Sequence, residues 1–119
     1  MITAPQSPAI LPRAAGWRAV LEARWRARLE RVTELSLAFH DAAATEPGMP
    51  PRQPGPTVRR LMRQTVAARQ DLADTDEALG RLAAGEYGRC ESCSAPISAP
   101  ALRAAPEARY CPHCAELTA

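Results

Sequence analysis

Four cysteines in two closely spaced pairs constrain the fold of this 119-residue chain more than any other feature. Two residues separate the cysteines within each pair, and 17 residues lie between the pairs. This spacing is typical of four-cysteine zinc sites, in which roughly 15–20 residues separate the pairs. Four thiolates bind Zn²⁺ tetrahedrally and close the site, so that no position stays open for a substrate. The sequence therefore predicts one structural Zn²⁺ ion, bound by Cys90, Cys93, Cys111 and Cys114.

The spacing alone leaves other roles for these cysteines open. A redox Cys-x-x-Cys pair normally accompanies a βαβ pattern, which this sequence lacks, and two disulfide bonds would need an oxidising compartment. His113 lies between the last two cysteines and would form a mixed site if it replaced one of them. Because four thiolates are present, we predict that His113 is an exposed residue of the second knuckle.

The composition is that of a small, alanine-rich domain. Hydrophobic residues make up 46% of the chain but aromatic residues only 4%, so we expect zinc to contribute to folding in place of a large core. The formal net charge is +2, and four thiolates around one Zn²⁺ add about −2. A nearly neutral protein does not indicate direct sequence-specific binding of nucleic acid. The sequence shows neither a signal peptide nor an apolar run of ~18 residues, and so predicts a cytoplasmic protein without a membrane partner.

Two amphipathic segments predict a helical hairpin. Apolar residues recur every three or four positions within residues 13–44, and in steps of four and three, the coiled-coil repeat, within residues 57–84. The two stripes are Trp17, Leu21, Trp25, Leu29, Val32, Leu35 and Phe39, and Leu61, Thr65, Ala68, Leu72, Thr75, Leu79 and Leu82. Two helices of similar length with a short connection are expected to pack antiparallel, with the numbers of facing residues adding up to about 100.

The segments around the hairpin complete the predicted organisation. Residues 45–56 contain five prolines and two glycines and predict a tip loop. Thr57 is the predicted N-cap of the second helix, and Gly85 its stop. Residues 1–12 contain three prolines and predict a flexible N-terminal arm. The hairpin then spans residues 13–84, and a zinc-finger module spans residues 85–119.

The finger and the residues before it resemble the DksA/TraR family of C4-type zinc-finger proteins. The resemblance covers about forty residues closely, and the shared residues are the helix end at Leu82–Gly85, the motif Tyr87-Gly88-x-Cys90-x-x-Cys93, then Ile97, Leu102, Ala104, Pro106 and Ala108, and Cys111-x-x-Cys114. The chain departs from the family pattern at two positions of the finger. Ser94 replaces the glycine that usually follows the first knuckle, and Ala101 replaces an arginine.

The resemblance implies a mainly α fold, in which an antiparallel two-helix coiled-coil hairpin carries a small C-terminal four-cysteine zinc finger. It also implies a transcription regulator that binds bacterial RNA polymerase and directs its hairpin to the secondary channel. The sequence has no paired histidines, nucleophile-elbow motif or Gly-rich phosphate loop, so we expect no enzymatic activity, and we expect a monomer. The chain departs from the family at the tip, where the acidic Asp-x-x-Asp-x-Ala motif is absent. Asp41, Glu46 and Arg52 are the candidate partner-binding residues there.

Two other functions remain open. The same fold would suit a zinc-stabilised coiled-coil adaptor for another protein, and a finger that binds nucleic acid directly would show a steep salt dependence of binding.

Two groups of charges are either solvent-exposed surface or docking patches. They are the acidic run Asp71, Asp74, Asp76 and Glu77 and the arginines Arg52, Arg59, Arg60 and Arg63.

Overall fold

The computed structural model describes residues 14–48 and 52–118, so the predicted arm at residues 1–12 lies outside it. Its four helices are α1 (Ala14–Thr45), α2 (Pro56–Ala83), α3 (Ala99–Ala104) and α4 (Pro112–Thr118). Within the described residues, β-structure is limited to isolated bridges such as the one between Arg89 and Pro96. The predicted mainly α fold with two long helices is confirmed. None of the helices in these two ranges has the length and hydrophobicity needed to span a membrane.

The chain divides into two compact units. The first, which we call the finger unit, comprises Met1–Glu22 and Thr75–Ala119, and the second, which we call the hairpin unit, comprises Ala23–Asp74. Each long helix therefore contributes residues to both units. The predicted boundaries at residues 12, 84 and 85 remain predictions.

The core of the hairpin unit follows the apolar stripes predicted for the two helices. Leu35, Leu61 and Ala68 are buried in one cluster, against which Val32 and Phe39 pack. This cluster contains both members of two facing pairs in the predicted register. A hydrogen bond of 2.8 Å from the Arg28 guanidinium to the Asp71 carbonyl joins the same two helices at facing positions. Leu29 differs from the prediction, because 39% of it is exposed.

The C-terminal end of α2 has the predicted glycine stop. Gly85 has a φ of 76°, which is the left-handed conformation that residues with a Cβ adopt at a cost. Its N–H donates to the Leu82 carbonyl at 3.1 Å, and the Glu86 N–H donates to the Arg81 carbonyl at 2.8 Å. This pair of bonds is the Schellman motif, which satisfies carbonyl groups at the helix end.

The core of the finger unit combines cysteines with apolar side chains. Cys90, Cys114, Ile97, Leu102 and Trp17 form one buried cluster. Trp17 comes from the first turns of α1, and its ring lies 5.5 Å from the Tyr87 ring, centroid to centroid. Burial of an aliphatic side chain such as Leu102 contributes about 1.5–3 kcal/mol to stability. The start of α1 therefore belongs to the same core as the cysteines, whereas the sequence pattern placed Trp17 only in the hairpin stripe.

Candidate metal centre and hairpin tip

The four cysteines meet at one point of the finger unit. Their Sγ atoms all lie within 4.8 Å of one another, and none forms a disulfide bond. The Sγ atoms of Cys93 and Cys111 are 3.8 Å apart. A tetrahedral ion with metal–sulfur bonds of about 2.3 Å separates its sulfurs by about 3.8 Å. The arrangement therefore fits a four-thiolate metal site. His113 is exposed and is not part of the cluster.

The first knuckle is held by backbone hydrogen bonds around Cys90. The Cys90 N–H donates to the Ala95 carbonyl at 2.8 Å, and the Ser94 N–H donates to the Cys90 carbonyl at 3.0 Å. The turn places Ser94 at a φ of 64°. This conformation explains why a glycine is expected at this position of the family pattern, since only glycine adopts it without steric cost.

The second knuckle leads directly into a helix. Pro112 is the first residue of α4, where its missing N–H is no loss and its fixed φ suits the helix. The Cys114 N–H, in the first turn, points back at the Cys111 Sγ, 3.5 Å away. The start of α4 therefore brings both sulfurs of the second pair to the site and turns a backbone donor towards one of them.

The surroundings of Cys90 and Cys114 shift the pKa values of the two thiols in opposite directions. Burial raises the pKa of the Cys90 thiol, but backbone N–H groups of Cys93, Cys111 and Ser92 stabilise its thiolate and bring the pKa down to about 6. Hydrogen bonding with Cys111, together with burial, raises the pKa of Cys114 to about 12. Binding of a metal ion by four thiolates therefore requires the release of thiol protons.

An ion-pair network lies beside the first knuckle. The Arg109 Nη2 lies 3.0 Å from the Glu91 Oε1, and the Arg109 Nη1 lies 3.9 Å from the Glu77 Oε1 on α2. The hydrogen bond from Arg109 lowers the pKa of Glu91, and Glu91 in turn raises the pKa of Arg109. The Glu91 N–H also donates to the Arg109 carbonyl at 2.8 Å. These contacts join the two cysteine-bearing segments, and they engage Glu77, a member of the predicted acidic run.

Two residues of α2 anchor the loop before the second knuckle, and sequence reasoning missed both anchors. The Arg81 Nη2 donates to the carbonyls of Glu107 and Ala108 at 3.2 and 3.4 Å. The Thr75 hydroxyl, which is fully buried, donates to the Glu107 carboxylate at 2.9 Å. The available signals were a polar residue in the apolar stripe and an arginine in the last turn of a helix, where a cation is favourable.

At the hairpin tip, Glu46 caps α2. Its Oε1 accepts a hydrogen bond from the Val58 N–H at 2.9 Å, and its Oε2 accepts one from the Thr57 N–H at 3.1 Å. The Val58 hydrogen bond is the main reason why the pKa of Glu46 is lowered. The predicted cap residue was wrong: α2 begins at Pro56, so Thr57 lies inside the first turn and donates to a cap supplied by another segment.

The other two candidate tip residues remain accessible. Asp41 and Arg52 are exposed, and neither side chain makes a hydrogen bond or ion pair within residues 14–48 and 52–118. The Asp41 carbonyl accepts a hydrogen bond from the Thr45 hydroxyl at 2.9 Å. Arg52 has a φ of 27°. Their assignment to partner binding remains a prediction.

The fold matches that of a solved bacterial protein. Transcription factor DksA2 from Pseudomonas aeruginosa aligns with a TM-score of 0.80 and 22% sequence identity, over 95% of this chain and 89% of DksA2. The chain has the DksA2 fold. The family resemblance predicted from the sequence is thus confirmed at the level of the fold.

Sequence comparison adds a shorter match. A protein of Aquifex aeolicus that is described only as uncharacterized is 47% identical over 45 residues, which are 38% of this chain and 31% of that protein. The matched part therefore spans about a third of the relative. No protein-family model matches the chain.

Proposed function

We propose that this protein is a zinc-containing transcription regulator that binds bacterial RNA polymerase and directs its helical hairpin to the secondary channel. One observation carries the proposal: a hairpin and a four-cysteine cluster occur together in a chain that shares the DksA2 fold over 95% of its length. DksA2 is described as a transcription factor. The residues of the finger that resemble the DksA/TraR family support the same function and a non-enzymatic role.

The metal in this proposal is Zn²⁺, held by Cys90, Cys93, Cys111 and Cys114. The mutual distances of the sulfurs suit a tetrahedral ion, and zinc is the usual ion of closed four-thiolate sites. Its role is structural, because it links the two knuckles and leaves no coordination position for a substrate. Thiolates of this kind persist in a reducing compartment, which supports a cytoplasmic location.

The contacts at the hairpin tip favour different roles for Glu46 and Asp41. The Glu46 carboxylate is engaged by the start of α2, so its main role is to hold the loop. Asp41 is exposed and is our candidate for the acidic residue that acts on the partner, with Arg52 as a second contact. A zinc-stabilised adaptor for a different protein is the alternative, and the missing acidic motif at the tip favours it.

The test is binding to purified bacterial RNA polymerase, with a photo-crosslinking amino acid in place of Gln53 in the tip loop. We expect the protein to co-purify with the polymerase and position 53 to cross-link to the walls of the secondary channel. The same amino acid in place of the exposed Arg103 in the finger unit is the positional control. Cross-links from position 53 to another surface would contradict the channel assignment, and absence of binding would favour the adaptor.

The role of Asp41 is tested separately by transcription from purified components. Asp41→Asn is expected to retain polymerase binding and to lose most of the effect on initiation. Glu30→Gln, which changes an exposed carboxylate of α1, is the matched control and should behave like the original protein. Equal effects of the two variants would contradict a specific role of Asp41.

A further inference from the structure

The hairpin unit presents a groove between α1 and α2 that combines apolar side chains with an arginine. The groove has a volume of about 310 Å³ and is lined by Ser36, Phe39, His40, Met62, Thr65, Val66 and Arg69. Val66 is 69% exposed and Met62 is 45% exposed. Exposed apolar side chains grouped in a groove, unlike scattered ones, are typical of interaction sites.

The charges that α2 contributes beside this groove are all positive. Residues 56–70 of α2 contain four arginines and no acidic residue. Three- and four-residue spacing places Arg59, Arg63 and Arg69 on the same side of α2 as Met62 and Val66. The side chains of Arg63 and Arg69 are exposed and make no ion pair with any described residue. The groove is therefore bordered by cations that are free to pair with a partner.

The acidic residues of this part of α1 lie elsewhere. Asp41 follows Phe39 by two residues, which in an α-helix of 3.6 residues per turn places it roughly opposite. Glu46 is committed to the cap of α2. None of the described residues that line the groove carries a charge that would neutralise Arg63 or Arg69, so the electrostatic preference of the face is for an anionic partner.

We propose that this groove binds an acidic amphipathic helix of another protein. The groove-lining residues of α2 run from Met62 to Arg69, about two turns, which suits the i, i+3, i+4 and i+7 anchors of a helix laid in a groove. Carboxylates on the flanks of such a helix would pair with Arg63 and Arg69. The unbranched side chain of Met62 adapts to different anchor shapes.

The charge and lining of the groove disfavour other occupants. Residues 1–13 of this chain contain no acidic residue and so lack the complementary charge. Proteins that bind single-stranded nucleic acid stack the bases on exposed aromatic rings. The Phe39 ring instead packs edge-on against the His40 ring, with centroids 5.5 Å apart.

The test uses a fluorescent designed peptide of about 18 residues, with leucines at helical i, i+3, i+4 and i+7 spacing and glutamates on the flanks. We expect saturable binding in fluorescence anisotropy that weakens with added salt. Val66→Glu and Arg69→Glu should each weaken it about tenfold, the effect of losing a central contact. Arg60→Glu is the matched control, because Arg60 lies on another side of α2, and it should change the affinity less than about twofold.

Several outcomes would overturn the proposal. Equal binding of a matched peptide with lysines in place of glutamates, or tighter binding of a single-stranded RNA, would reject the acidic helix. Self-association in sedimentation that Val66→Glu abolishes would assign the groove to a second copy.

Circular dichroism and zinc content establish that each variant is folded. Shifts of the Met62 methyl resonance on titration of the original protein with the acidic peptide would locate binding in the groove, and unchanged shifts would contradict it.

Discussion

Ser94 is held in a backbone conformation that its residue type disfavours. Its φ of 64° belongs to the left-handed region, which costs a residue with a Cβ about 1–2 kcal/mol. The chain accepts this cost because the Ser94 N–H closes the knuckle turn on the Cys90 carbonyl. Serine at this position therefore carries a steric cost that glycine would avoid, and it leaves the ligand set unchanged.

Replacement of Ser94 by glycine is expected to stabilise the protein. Glycine removes the steric cost but adds freedom to the unfolded chain, so we expect a net gain of about 0.5–1 kcal/mol in the free energy of unfolding. The measurement is urea unfolding of the metal-loaded protein. Ser92→Gly is the matched control, since Ser92 does not have a positive φ, and glycine there should destabilise. A destabilising Ser94→Gly would contradict the strain argument.

The start of α2 shows how an element is completed by residues outside it. Gly55 precedes Pro56 and has no side chain to cap the helix, and a Cβ on it would lie 2.5 Å from the Glu46 Oε1. Gly55 is therefore required for space and not for a left-handed φ. The missing side chain leaves room for a carboxylate from the end of α1, which accepts the hydrogen bonds of two N–H groups and complements the positive helix end.

Acid is expected to weaken this cap. Because the pKa of Glu46 lies below its ordinary value of 4.5, the ionised carboxylate stabilises the folded state above that value. This stabilisation is lost as the pH falls through the folded-state pKa. We expect the amide chemical shifts of Thr57 and Val58 to titrate with a midpoint below 4.5. Glu46→Gln should remove this titration, whereas Glu34→Gln, a change within α1, should leave it intact.

Gly55 and Glu46 are expected to be coupled. Gly55→Ala should displace the carboxylate, abolish the titration of Thr57 and Val58, and lower the melting temperature. In a Glu46→Ala background the same change should cost little, because the space is then free and alanine restricts the unfolded chain. Equal effects of Gly55→Ala in both backgrounds would contradict the coupling.

Across the whole molecule, each unit has its own small core, and they differ in composition. The hairpin unit relies on apolar stripes, whereas the finger unit places Cys90 and Cys114 among Ile97, Leu102 and Trp17. Its buried cysteines bring metal binding and packing into one cluster. Binding of the ion is therefore expected to contribute directly to the folding of this unit.

Removal of the metal is expected to unfold the core around Trp17. In a Trp25→Phe protein, which leaves Trp17 as the single tryptophan, a zinc chelator should shift the fluorescence emission to longer wavelength as the ring meets water. Cys90→Ser should give the shifted spectrum without chelator and less than one zinc per chain.

His113→Ala is the matched control for this experiment. His113 is exposed and lies outside the sulfur cluster, so the variant should keep one zinc per chain and the unshifted spectrum. Loss of zinc from His113→Ala, or full zinc content in Cys90→Ser, would contradict a site made of four thiolates.

Features that depend on neighbours along the chain could be predicted from residue spacing. The apolar spacing of α1 and α2 predicts their hairpin, because side chains three and four positions apart share a helix face. Gly85 predicts the end of α2 for an equally local reason. The two Cys-x-x-Cys pairs predict the metal site because two intervening residues suffice to aim both sulfurs at one point.

Contacts between residues that are distant in sequence depend on how the chain folds. Glu46 caps a helix that starts ten residues later, Arg81 and Thr75 hold the loop at Glu107, and Trp17 joins the core around Cys90. Carboxylate, guanidinium and indole groups have many potential partners at the level of the sequence. Their partners are selected only when the folded backbone brings particular donors, acceptors and cavities within reach, which residue spacing does not encode.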